Sequence, residues 1–119
     1  MTEKLQILVV EDDALVSEVI AAALGDTYPT TVVESAEDAL RLIRGGEFRV
    51  MLLDCTLPGG IDPNLIPEAD RVGTSVILMS GDPGRVAQLS DRPRPFVIKP
   101  FTLGGLLSSV EAVLASNAT

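Results

Sequence analysis

Three stretches of the chain are apolar almost without interruption: LQILVV (5–10), FRVMLLD (48–54) and SVILMS (75–80). A strand wetted on one face alternates apolar and polar residues. An unbroken run belongs to a strand buried on both faces, and such strands occur almost only in parallel sheets with helices on either side. The intervening segments supply those helices. From Ala14 to Leu24 the residues Leu15, Val16, Val19, Ile20, Ala23 and Leu24 recur at helical spacing, and Gly25 is placed to terminate the helix. After the β-branched TTVVE (30–34), Ser35 with Asp38 forms a capping-box signal for a helix through Ala39, Leu40 and Ile43, stopped at Gly45-Gly46. FVIK (96–99) reads as a last buried strand, and Thr102 caps a final helix bearing Leu103, Leu106, Leu107, Val110, Val113 and Leu114.

Strands alternating with helices predict an α/β, doubly wound parallel sheet with right-handed crossovers. The intervals 57–73 and 82–95 each hold three prolines, so the third and fourth helices are expected to be short or irregular. The tail ASNAT (115–119) reads as a frayed end. A length of 119 residues fits one domain, 1–119.

Composition narrows the function classes. A net charge of −8 with only nine Lys and Arg lacks the basic footprint of a nucleic-acid binder and disfavours contact with anionic membranes. No apolar run is long enough to span a bilayer and MTEKLQ lacks the core of a signal peptide, so a cytoplasmic protein is expected. The single Cys55 agrees with a reducing compartment; strand alternation turns it away from Asp54, as a small buried hydrophobe. With no histidine in the chain, any chemistry rests on carboxylates, hydroxyls and amines.

Ligand sites of open parallel sheets lie beyond the carboxyl ends of the strands. There the sequence places Glu11, Asp12 and Asp13 after the first strand, Asp54 at the end of the third, Ser80 at the end of the fourth and Lys99 at the end of the fifth. Alone, each has a simpler reading. Asp13 suits a helix N-terminus, Ser80 a cap near Asp82-Pro83, Asp54 a turn, and Lys99 an extended residue before Pro100, with a cis bond also open to it. Together they suggest more. Two carboxylates about 5 Å apart repel by about 3 kcal/mol at an effective dielectric of about 20, so converging acids require a counter-charge. Oxygen-only ligands suit Mg²⁺, and Lys99 suits a phosphate. This constellation suggests phosphoryl transfer to Asp54, with the Pro58-Gly59-Gly60 turn leaving the face above it open.

With ILVVEDD, MLLDCTLPG, ILMSG and FVIKPF in order, the chain resembles the receiver domain of two-component response regulators, of the CheY-like superfamily. The resemblance implies a flavodoxin-like five-stranded parallel sheet with five helices. It implies an aspartyl phosphate formed at Asp54 from a histidine kinase or phosphotransfer protein, which switches a surface toward a downstream protein. Asp12 then matches the direct Mg²⁺ ligand, Glu11 a ligand through water, and the Thr56 backbone carbonyl a further ligand. Ser80 matches the switch hydroxyl, Lys99 the phosphate-contacting lysine, and Phe96 the aromatic whose rotamer reports the switch; from the residues alone Phe96 reads as core. Such a module is a phosphoacceptor and not an enzyme turning over an external substrate.

Two other function classes compete with this one. A pseudo-receiver would keep the fold and act as an interaction scaffold without phosphorylation, which the reduced helices allow and intact Asp12, Asp54 and Lys99 oppose. A Mg²⁺-dependent phosphohydrolase would normally need a general acid beside the nucleophile, for instance two residues on, and Thr56 occupies that place. No glycine-rich turn follows the first strand, which sets aside a dinucleotide or flavin site. Arg92 and Arg94, spaced by prolines, read as a solvated loop.

Overall fold

The computed structural model describes residues 6–57, 59–89 and 93–117. Expectations placed on Leu5, Pro58, Arg92 and the last two residues lie outside them. Five strands, β1 (Gln6–Val10), β2 (Thr30–Val33), β3 (Phe48–Asp54), β4 (Ser75–Ser80) and β5 (Phe96–Ile98), form one parallel sheet in the order β2-β1-β3-β4-β5. Helices α1 (Ala14–Gly25), α2 (Ala36–Ile43), α3 (Leu65–Val72), α4 (Pro83–Leu89) and α5 (Leu103–Asn117) make the crossovers.

Period-two alternation divides the apolar runs between two cores. Ile7, Val9, Val50, Leu52, Ile77 and Met79 pack with Ile20, Leu24, Leu106 and Val110 under α1 and α5. Leu8, Val10, Met51, Leu53 and Leu78 pack with Ala39, Ile43, Leu65, Ala69 and Val86 under α2, α3 and α4. Because both faces are covered, β1, β3 and β4 lack polar alternation, and their uninterrupted sequences follow from that burial. In-register pairing of Val10 with Leu53, and of Asp54 with Met79, brings the carboxyl ends of the central strands to one edge.

Local chemistry sets the helix ends. Asp13 caps α1 by accepting from the Leu15 and Val16 N–H groups, and Ser35 caps α2 by accepting from Asp38 N–H. Thr102 Oγ1 accepts from Gly105 N–H at 2.9 Å as α5 begins. Gly73 closes α3 at φ 85°, a conformation that a side chain would strain. As the prolines predict, α3 has eight residues and α4 seven. Pro67 is tolerated because it sits in the first turn of α3, where its missing N–H has no partner to lose.

Several expectations are corrected. Helix α1 runs through Gly25 and is capped at Asp26, while α5 continues to Asn117 instead of fraying over Ala115 to Asn117. The strand expected over 96–99 as fully buried is a three-residue edge strand in which only Val97 is buried. Phe96 is 49% exposed and Ile98 37%, so Phe96 is not core. Leu15 and Val19, expected on the buried face of α1, are 74% and 47% exposed.

Arg94 is also not a solvated loop residue. Its side chain is 4% exposed, and its guanidinium donates to both carboxylate oxygens of Asp70 in α3, at 3.0 and 2.7 Å. The planar fork of an arginine matches a carboxylate in this way, so the pair fastens the segment entering β5 to α3 beside the short α4. Arg94→Ala should lower unfolding stability in denaturant titrations by about 2 kcal/mol, since the buried partner is lost. Arg94→Lys should recover less than half of that, because an ammonium cannot make the paired bonds.

Candidate functional site

At the carboxyl edge of the sheet, β1 delivers Glu11, β3 ends on Asp54, and Lys99 follows β5. Glu11 is 1% exposed and Asp54 2%, although the strands that carry them could have ended on apolar residues. Lys99 reconciles the two charges: its Nζ lies 2.7 Å from Glu11 Oε1 and 3.5 Å from Asp54 Oδ2. The Lys99-Pro100 bond is cis. Asp12 is exposed at the rim, and one carboxylate oxygen from each of Glu11, Asp12 and Asp54 lies within 4.8 Å of the others. Asp13 stands apart from this group as the α1 cap.

The two oxygens of Asp54 are held differently. Oδ1 accepts from the Thr56 N–H and from the Thr56 hydroxyl, each at 2.9 Å, whereas Oδ2 faces Lys99. Beyond Thr56 the chain bends through Gly59 (φ 80°) and Gly60 (φ 82°), with Gly60 N–H donating to Leu57 C=O. Neither angle suits a residue with a Cβ, so the glycines let the backbone turn off the edge directly after the carboxylate. Cys55 packs into the α2–α4 layer, on the opposite face from Asp54, and burial followed by the Asp54 charge pushes its thiol up to about 11.

Burial raises Glu11 to about 7, and its hydrogen bond with Asp54 adds to the rise, while the Lys99 ammonium opposes it. Burial acts on Asp54 in the same sense, but the bonds from Glu11 and Thr56 and the Lys99 charge outweigh it, holding Asp54 below the usual carboxylate range. Lys99 is desolvated, yet its bond to Glu11 and the Asp54 charge raise it. The edge thus shares protons unequally: Asp54 is the ionised member and Glu11 the one that protonates first.

Of the residues singled out in the sequence, the fold brings together Glu11, Asp12, Asp54, Thr56 and Lys99. Ser80 is buried at the end of β4, but its hydroxyl donates to Asp82 C=O (3.1 Å) and accepts from Asp82 N–H (3.0 Å), in the turn that leads into α4. Phe96 lies on β5 opposite Leu78, on the exposed edge. Two features escaped the sequence reading. One is the Thr56 hydroxyl, for which the only signal was a hydroxyl two residues after an aspartate, the spacing of a local side-chain turn. The other is an apolar groove of about 470 Å³ formed by Leu15, Val16, Val19, Pro100, Phe101 and the stem of Lys99. It was hidden because exposed and buried leucines look alike in a helical pattern.

Comparison with known proteins agrees with this geometry. No family model matches the chain. The DNA-binding response regulator MtrA of Mycobacterium tuberculosis (strain ATCC 25618 / H37Rv) is 31% identical over 122 residues, covering 98% of this chain and 53% of that protein. The uncharacterized transcriptional regulatory protein YkoG of Bacillus subtilis (strain 168) is 29% identical over 123 residues, with coverages of 98% and 54%. The chain therefore spans about half the length of the curated relatives it matches. Among solved structures, the signal receiver domain of an HD domain-containing protein from Pseudomonas fluorescens Pf-5 superposes with a TM-score of 0.85 at 22% identity, covering 98% of this chain and 90% of that one. The BeF3-activated DrrB receiver domain gives 0.76 at 26% identity, with coverages of 94% and 98%.

The electrostatics make a prediction for the metal-free protein. Glu11 holds its proton more tightly folded than unfolded, so the folded state binds more protons between about pH 4.5 and 7, and stability falls as pH rises through that window. The fall should be on the order of 2–3 kcal/mol, read from denaturation midpoints in EDTA. Glu11→Gln should flatten the slope. Asp54→Asn should move the window to lower pH, because one source of the shift is removed.

Proposed function

Since the chain is a receiver domain of the CheY-like superfamily, we propose that it serves two-component signalling by accepting a phosphoryl group on Asp54 from a histidine kinase or a phosphotransfer protein. The observation that carries this reading is the placement of one lysine between two buried carboxylates, 3.5 Å from Asp54 Oδ2 and 2.7 Å from Glu11, at the edge where parallel sheets bind ligands.

The Asp54 carboxylate attacks phosphorus; an O–P bond forms as the donor's P–N bond breaks, and the leaving imidazole keeps the electron pair and takes up a proton. Held below the usual carboxylate range, Asp54 is ionised and ready as a nucleophile at neutral pH. Lys99 offers its ammonium to the incoming phosphoryl oxygens. An arriving anion competes with Glu11 for that ammonium, and Glu11, the carboxyl that protonates first, can take up a proton as it loses the contact.

The donor set also fits a hard divalent cation: three carboxylates converge within 4.8 Å, one of them at the solvent-facing rim. Asp12 and Asp54 would hold Mg²⁺ directly, with Glu11 through water and the Thr56 carbonyl as a further ligand. Bound there, the cation would neutralise phosphoryl oxygens and offset the repulsion among the carboxylates. Ser80 and Phe96 are assigned to the switch, through which phosphorylation would alter a surface read by a downstream protein. For Ser80 this means giving up the Asp82 turn.

Access for a donor protein is favoured by the groove that Lys99 shares with Leu15, Val16, Val19 and Phe101, because a partner seated there lies beside the phosphoacceptor. An apolar, open groove in a chain of net charge −8 suits a helical donor surface with apolar residues at its centre.

Intact mass after incubation with Mg²⁺ and acetyl phosphate tests the reading. One phosphoryl group should be added to the wild type and none to Asp54→Asn or to a chelated sample. An unmodified wild type that also shows no thermal shift with millimolar Mg²⁺ would favour the phosphorylation-independent scaffold. For the groove, Leu15→Asp and Val19→Asp should each slow transfer from autophosphorylated histidine kinases by about tenfold or more, while labelling by acetyl phosphate stays within twofold.

A further inference from the structure

The apolar groove and the phosphoacceptor share one residue. Lys99 lends its stem to a hollow of about 470 Å³ whose other walls are Leu15, Val16, Val19, Pro100 and Phe101, while its ammonium stands 3.5 Å from Asp54 Oδ2. Leu15 and Val16 lie in the first turn of α1, just after the rim residue Asp12 and the cap Asp13, and Pro100 and Phe101 directly follow Lys99. The hollow therefore opens at the carboxyl edge and runs down α1 from Leu15 to Val19, one turn or about 6 Å deeper. An apolar recess with one charged group at its mouth selects a molecule of matching polarity, with an anionic head and an apolar tail. Building on the phosphoacceptor reading, we infer that this groove is a tail site for small acyl phosphates, so that butyryl and hexanoyl phosphates serve Asp54 as better donors than acetyl phosphate.

The step balances for every member of the series. An O–P bond forms from the Asp54 carboxylate as the donor's acyl O–P bond breaks, and the acyl carboxylate departs with the electron pair, a base too weak to need a proton. Attack is in line, so the leaving carboxylate lies on the far side of phosphorus from Asp54, and its alkyl chain must fold over the rim to reach Leu15. The methyl group of acetyl phosphate is too short for that. Lengthening the chain leaves the chemistry alone, because acetate, butyrate and hexanoate are leaving groups of nearly equal basicity; it changes only the apolar area withdrawn from water. Leu15 and Val19 are both exposed, so a tail lying against them keeps one side wet, and each methylene in the groove contributes about half of its full burial value, or about twofold in affinity. A protein donor would cover the same groove, so small and protein donors exclude one another.

Second-order rate constants for phosphoryl incorporation, read by intact mass with saturating Mg²⁺, should be measured for acetyl, butyryl and hexanoyl phosphates on the wild type, Leu15→Ser, Val19→Ser and the double variant. On the wild type, butyryl phosphate should react about threefold faster than acetyl phosphate and hexanoyl phosphate about tenfold faster. Each single variant should lower the hexanoyl-to-acetyl ratio by about twofold or more, and the double variant should bring it to within about twofold of unity. The wild-type series needs no substitution: equal rate constants for the three donors overturn the tail site and leave the phosphoacceptor reading standing. A wild-type preference for hexanoyl phosphate that persists undiminished in all three variants also overturns the tail site, because the chain then lies elsewhere. A wild type labelled by none of the three donors overturns the phosphoacceptor reading itself, and the tail site with it.

Discussion

A single ammonium makes the carboxyl edge of this sheet possible. Glu11 directly follows β1 and Asp54 ends β3, strands whose other residues are almost all apolar and buried, and both acids are removed from water nearly completely. Without a cation between them, two desolvated acids this close could not readily both ionise, and one would hold its proton to still higher pH. Lys99 opposes this from just beyond the shortest strand in the sheet. The arrangement therefore depends on β5 staying in register with β4, through pairs such as Met79 with Val97 and Ser80 with Ile98, and on Lys99 N–H donating to Ser80 C=O at 2.8 Å. Charge balance and sheet completion are one constraint seen from two sides.

The central strands were legible because their sequence reports their environment directly. Burial on two faces leaves no room for alternation, and ILVV, VMLL and VILM say so. The caps at Asp13, Ser35 and Thr102 were legible for the same reason, since each depends on a side chain three or fewer residues from its partner. Convergence of Glu11, Asp54 and Lys99 follows from the parallel strands, because their carboxyl ends must share an edge. What escaped the sequence was set by distant neighbours. Whether Leu15 and Val19 face a core depends on how far α5 and the loop before it extend over α1, and their spacing carries no trace of that. Arg94 looked solvated between prolines because Asp70 lies 24 residues earlier. Phe96 looked buried because an edge strand with little cover has the same composition as a central one.

The shortened α4 has a structural counterpart on the same side of the sheet. On β5, Phe96 and Ile98 are exposed, and the segment leading into β5 is tied by a guanidinium and a carboxylate to α3. The seam beside α4 is thus held by a directional, two-point bond as well as by side-chain packing.

That substitution changes how the molecule answers to temperature and salt. Apolar contacts weaken on cooling, whereas the desolvation cost of an ion pair falls as temperature rises. The two cores and the α3–β5 seam therefore have different thermal profiles within one domain. Asp70 is partly exposed and the Arg94 side chain is buried, so salt screens this pair less than it would a pair on the open surface. Warming thus lowers the desolvation cost of the Arg94–Asp70 pair at the corner beside α4, whereas cooling weakens the apolar packing of the two cores.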